Sequence, residues 1–217
     1  MIARALSIVP DRDNDHGPVP PPASAGAHTP PVGELPVATE SLATGEETAP
    51  AFWCVAAHGG AGATTLSHLW APAGDAGQRW PAADEYTTCV VVCRSTMSGL
   101  DAAHSVILKA ERTDELGCTL LGVVVVADAP GKVSKPLKQK LAVLEELATL
   151  WHIDYHPGLR EHLPHDLATW APTPEAVAVK KRRKIPPVTE EVPAQVADIG
   201  HAIFLAAYQA AKDTDKD

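Results

Sequence analysis

Residues 58–65 read His58-Gly59-Gly60-Ala61-Gly62-Ala63-Thr64-Thr65, and they hold the most concentrated chemistry in this 217-residue sequence. Glycine admits positive φ and close approach of backbone, so successive N–H groups around Gly59, Gly60 and Gly62 can point into one concavity. Thr64 and Thr65 then open a helix, whose first turn adds partial positive charge. Together these features describe an anion site of phosphate size. The plainer alternative is a tight strand-to-helix turn that holds no ligand. A standard phosphate loop follows its last glycine with a lysine for the terminal phosphates and a hydroxyl residue for Mg²⁺. Here Ala63 takes the lysine position, and Thr64 is the candidate Mg²⁺ ligand. His58 can act as a phosphate-binding cation only when protonated, and an unperturbed imidazole, with a pKa of about 6.5, is mostly neutral at pH 7. The plainer reading of His58 is a solvated loop residue.

The elements that must position this turn follow from hydrophobic pattern. Phe52 to Ala57 reads as a first strand and Thr64 to Trp70 as a short helix. Residues 71–86, with Pro72, Gly74, Gly77 and Pro81, read as an irregular connection. Thr88 to Cys93 is a second buried strand. Ser98 to Arg112 carries Leu100, Ala103, Ile107 and Ala110 on one helical face. Leu120 to Ala127 is a third strand, and the helix after it begins near Ser134 with Pro136 in its first turn, where proline is tolerated. Trp151 to Tyr155 is a fourth, short strand. Such alternation predicts an α/β fold, a mostly parallel sheet of four or more strands flanked by helices. In such sheets ligands sit beyond the carboxyl ends of the strands. Arg94 and Asp128 emerge at those ends, and Arg94 and Lys132 are the nearest substitutes for the missing lysine. Asp128 reads either as a Mg²⁺-coordinating acid or as part of the turn Asp128-Ala-Pro-Gly131.

Flanking segments differ in character. Residues 1–50 hold nine of the twenty prolines, none of the ten Phe, Tyr and Trp residues, and seven acidic against two basic side chains. That composition cannot bury enough apolar surface to offset its ordering entropy, so a disordered acidic leader is expected. The α/β domain is placed at 51–167 and a basic, proline-containing linker at 168–191. Val192, Val196, Ile199, Ile203 and Ala207 mark an amphipathic C-terminal helix over 192–212. The net charge of −9 disfavours nonspecific binding to nucleic acid, leaving only the local patch Lys180, Lys181, Arg182, Arg183 and Lys184. No apolar run approaches the roughly 20 residues of a membrane span. The short apolar Met1 to Pro10 segment is no secretory signal, so a cytoplasmic protein is expected. Cys54, Cys89, Cys93 and Cys118 mostly sit in strand-like runs and read as buried thiols. His152, His156, His162 and His165 invite a zinc site, yet no cysteine or acid completes a ligand set at a familiar spacing.

Four pieces in order carry a family resemblance, the last being Ile153 to Leu167, which resembles the family's short strand followed by a proline and an acidic residue. HGGAGATTL (58–66) resembles the deviant Walker A motif of the MinD/ParA family of P-loop ATPases, usually KGG-x-GKTT, with His58 and Ala63 at the two lysine positions. Val90 to Ile107 is similar to that family's late strand and following helix. Leu120 to Val133 resembles its next strand, which normally ends in a base-contacting Asn where Asp128 stands here. The resemblance covers about 115 residues and implies nucleotide contacts from His58, Gly59, Gly60, Ala61, Gly62, Ala63, Thr64, Thr65, Arg94 and Asp128. It also implies ATP or another nucleotide with Mg²⁺ as cofactor. Between loop and late strand the family has a further βα unit and a γ-phosphate-sensing acid, and only residues 71–86 stand there. Loss of one preorganised charge-stabilising donor typically costs on the order of 10²- to 10³-fold in rate, so very weak hydrolysis or none is expected. The leading expectation is a degenerate, pseudo-ATPase adaptor acting through protein partners, linked to partition or DNA-transfer machinery of mobile elements. The alternatives are a slow ATPase using Arg94 or Lys132, and a nucleotide-free scaffold.

Overall fold

A strand covered by helices on both sides is apolar at every position, not at every second one. The runs around Phe52, Thr88 and Thr119 have that character, and they form the centre of the fold. A computed structural model describes residues 35–42, 49–82, 88–112, 118–172 and 186–214. Strands β1 (Phe52–Ala56), β2 (Ala73–Gly77), β3 (Thr88–Arg94), β4 (Thr119–Val126) and β5 (Leu150–Ile153) make one parallel sheet. Their order is β2-β1-β3-β4-β5. The helices are α1 (Ala63–Leu69), α2 (Met97–Arg112), α3 (Lys135–Glu145), the single turn α4 (Gly158–Glu161) and α5 (Ala194–Thr214). The α/β fold expected from the alternating pattern is therefore the fold observed. No described helix is long and apolar enough to cross a membrane.

Register sorts the strand residues onto two faces. Trp53, Val55, Cys89, Val91, Cys93, Val123 and Val125 face one way, and pack with Leu100, Ala103 and Ile107 of α2 and Leu141 and Leu144 of α3. Phe52, Cys54, Val90, Val92, Val124 and Val126 face the other, against Leu66 and Leu69 of α1 and Val196, Ile203 and Ala207 of α5. The result is three layers. Burying each such aliphatic side chain stabilises the fold by roughly 1.5–3 kcal/mol.

Two regions differ from expectation. Residues 71–86 are not wholly irregular, because Ala73–Gly77 pairs with β1 from Phe52 to Val55. This segment, AGDAG, has no β-branched or aromatic residue, so it carries no strand signal of its own; its edge position against β1 makes it a strand. Secondly, part of the proposed leader is built into the core. Leu35 is 6% exposed, Val37 bridges Trp80, and the Ala38 N–H and Pro36 carbonyl bond the Trp80 backbone at 2.9 and 2.8 Å. Leu35 and the fully buried Trp80 thereby cover the sheet beside β1 and β2 on the α2 and α3 side. The proposed linker is likewise engaged at its start: Trp170 donates its N–H to the Leu69 carbonyl, and Ala168 to Val188. Residues 1–34 and the patch Lys180 to Lys184 lie outside the described residues.

The closing helix α5 is docked, not protruding. Trp70 is fully buried, and its Nε1 donates to the Val196 carbonyl at 2.9 Å. Gly200, one turn along α5, lies so close to the same indole that a Cβ there would stand 2.5 Å from Trp70 Cδ1 and Nε1. Helix propensity alone would make Gly200→Ala stabilising by about 1 kcal/mol. The indole reverses that sign: Gly200→Ala is expected to destabilise by about 1–3 kcal/mol through overpacking, measured by urea denaturation.

Candidate functional site

A doubly wound sheet has one place where successive crossovers leave in opposite directions, and its ligand crevice opens there. In this chain α1 and β2 lie to one side of β1 while β3, β4 and β5 lie to the other, so the crevice falls between the carboxyl ends of β1 and β3. The β1–α1 turn leaves one end and Arg94 the other. Gly60 and Gly62 have φ of +77° and +105°, values only glycine adopts without strain, and Gly62 is the N-cap of α1 with no side-chain cap. The turn's geometry is thus set by the residues that the sequence singled out.

What the turn touches differs from expectation. His58 is neither a free loop residue nor placed as a cation. Its Nε2 accepts the backbone N–H of Arg94 at 3.1 Å, and its Nδ1 lies 2.9 Å from the Gly59 carbonyl. A backbone amide only donates, so Nε2 carries no proton, and Nδ1–H is the tautomer that satisfies both bonds. His58 therefore stitches the turn to β3. Arg94 completes the clasp, with Nε donating to the Gly60 carbonyl at 3.1 Å and Nη1 lying 3.5 Å from the Ala127 carbonyl.

A cavity of about 30 Å³ opens beside this clasp. Gly62, Thr65 and Leu66 line it from the first crossover, with Arg94, Val126 and Ala127 at the strand ends and Tyr155, His156 and Arg160 after β5. Arg160 donates to the Asp128 carbonyl at 3.3 Å and lies 5.9 Å from the Tyr155 ring centroid. Burial, and then the nearby Arg160 guanidinium, push the Arg94 pKa below the usual arginine value, with Asp128 opposing. Arginine remains charged in proteins. Burial is the larger of the two causes, and the second guanidinium adds to it. His156 Nε2 is buried and has no hydrogen-bond partner among the described residues. The Asp154 carboxylate, also at the cavity, already accepts from Gln195 Nε2 at 3.1 Å.

The remaining candidates divide clearly. Gly62, Thr65 and Arg94 line the cavity. Ala61 and Ala63 are buried in the apolar core, so only their backbone is available. Gly59, Gly60 and Thr64 are exposed and are not among the residues that line the cavity. Asp128 also lies outside the lining; its N–H donates to Ser95 Oγ at 2.9 Å. Lys132 is exposed and is not among the residues lining the cavity, whereas Arg94 is. The four histidines do not converge, and among the described residues no group of three or more His, Cys, Asp or Glu could hold a metal ion. The pattern missed Arg160, although a basic side chain soon after the last strand's carboxyl end was a usable signal. It missed Gly99 as well.

Residues 50–171 match the family of unknown function DUF6668. The chain belongs to that family. The match takes in the whole sheet, the clasp and the cavity. No curated protein matches the chain.

Gly99 explains how tightly the clasp is held. A Cβ there would stand 2.5 Å from the Arg94 carbonyl oxygen and 2.9 Å from His58 Nε2. Gly99→Ala is expected to cost about 1–3 kcal/mol by equilibrium unfolding, against a helix-propensity gain of up to about 1 kcal/mol. His58→Ala strands the half-buried Arg94 amide and is expected to cost about 1–2 kcal/mol in the same assay.

Proposed function

We propose that this chain is a degenerate P-loop-like protein that binds the phosphate moiety of a nucleotide at the Arg94–Arg160 cavity and works as an adaptor through protein partners. The observation that carries the reading is the convergence of two guanidiniums on a glycine turn at the carboxyl edge of a parallel sheet. Guanidinium forks suit phosphate oxygens, and partial burial of Arg94 strengthens its contact. His156 Nε2 adds a buried ring nitrogen without a partner, and the Thr65 hydroxyl a further polar group.

Size limits what enters. A cavity of about 30 Å³ holds one small anionic group, against the several hundred cubic ångströms of a full small-molecule pocket. A nucleoside would therefore lie outside, over the exposed Arg160 turn. With Ala63 in place of the loop lysine, hydrolysis is expected to be very weak or absent. Partition or DNA-transfer machinery is the setting that the MinD/ParA resemblance suggests for the partners.

The bonds of Arg94 to the Gly60 and Ala127 carbonyls favour one second reading, a nucleotide-free scaffold in which Arg94 permanently fills the place of the ligand. Calorimetry at low salt with pyrophosphate, ATP, ADP and GTP separates the two. Nucleotide binding predicts measurable heat, and a loss of about tenfold or more in affinity on Arg160→Ala, the scale of one charged hydrogen bond. No heat and no thermal shift with any of these would leave the scaffold. A single-turnover rate with ATP and Mg²⁺ that falls on Arg94→Ala would instead support a slow ATPase.

A further inference from the structure

The strand ends opposite the cavity carry a second chemistry. Cys89 is the second residue of β3, and Cys118 immediately precedes β4. Thr88 pairs with Thr119 and Cys89 with Leu120, so Cys118 is the diagonal neighbour of Cys89 on the same face of the sheet. Their sulfurs lie 3.6 Å apart, with Cys89 Sγ also 3.7 Å from the Thr119 carbonyl. Cys89 is fully buried, whereas Cys118 is partly buried at the edge of the core.

From this juxtaposition we propose that Cys89 and Cys118 form a dedicated oxidation site, in which a hydroperoxide attacks Cys118 and Cys89 resolves it to an intrachain disulfide. In the first step the Cys118 thiolate displaces hydroxide from the peroxide, giving a sulfenic acid and, with a proton, water when the oxidant is hydrogen peroxide. In the second, the Cys89 sulfur attacks the Cys118 sulfur and releases a second water, with the Cys89 thiol proton completing it. Two thiols are oxidised, one peroxide is reduced, and atoms balance.

The surroundings favour this order of events. The Cys89 S–H, directed at Cys118, lowers the Cys118 pKa below the ordinary thiol value, while that bond and then burial hold Cys89 well above it. Thiolate character with access to solvent marks the attacking sulfur, and the enclosed partner is the resolving one. Cys54 and Cys93 lack both properties: burial pushes Cys54 far up and Cys93 to about 12. The disulfide would tie the entry points of β3 and β4, closing the loop that contains α2.

The test is peptide mapping of the reduced full-length chain after limited hydrogen peroxide, without reduction before digestion. The expected result is a Cys89–Cys118 linked peptide, loss of two of the four titratable thiols, and recovery of both with dithiothreitol. Oxidation of Cys118 should outpace that of Cys54 and Cys93 by roughly tenfold or more. In Cys89→Ser, a sulfenic acid should accumulate at Cys118 and be trapped by a 1,3-dione. Conversion of Cys118 to sulfinic acid without the link, pairing through Cys54 or Cys93, or no reaction in the wild-type chain would each overturn the proposal.

Discussion

A backbone amide has a proton to give and no lone pair to offer, so whatever it bonds must accept. At the carboxyl end of β3 the Arg94 amide finds its acceptor in the ring of His58, five residues before the first helical turn of the chain is under way. That bond fixes the imidazole tautomer, and the Arg94 side chain returns across the same turn to the Gly60 carbonyl. The glycine turn is therefore held from both its beginning and its middle by one residue of the neighbouring strand. Gly99 closes against His58 and Arg94 from α2, so the β1–α1 turn and the β3–α2 connection meet at this point.

Everything else in the fold serves to bring those groups together. The parallel register of β1 with β3 and of β3 with β4 sets the turn, Arg94 and Ala127 side by side. Apolar residues on both sheet faces then leave little freedom for the strands to slide, because a slip of one residue would exchange the two cores. The segment after β5 approaches from the far side and adds Arg160, held by the Asp128 carbonyl. Asp154, bonded in both directions to Gln195, fastens this segment to the start of α5. Two guanidiniums are thereby brought to one cavity, with Asp128 nearby and the Asp154 carboxylate, bonded to Gln195, at its lining.

The central strands and long helices were legible in the sequence because each carries its period in its own residues. Thr88 to Arg94 is apolar throughout, and α3 shows Leu137, Leu141 and Leu144 at helical spacing. The edge strand β2 was not legible, since AGDAG owes its conformation to pairing with β1 and not to its side chains. Leu35 was hidden for a related reason: a single apolar residue in a proline-rich stretch carries no periodicity, and only Trp80 shows what it covers. At the site, residue type singled out the glycines that make the turn and Arg94, which bonds it. It could not show that His58 would be consumed by a backbone amide, that Thr64 would stand outside, or that Arg160 would arrive from sixty-odd residues beyond Arg94. Such pairings belong to tertiary contacts, for which local spacing has no signature.

The account rests on the clasped turn still receiving an anion between Arg94 and Arg160. Its most direct measurement is an amide and arginine side-chain nuclear magnetic resonance titration of the whole chain with pyrophosphate at low salt. Saturable shifts concentrated at Gly62, Thr65, Arg94 Nε and Arg160, with the opposite strand ends unmoved, are the result this account predicts. Shifts confined to other surfaces, or none at any of these groups, would contradict it.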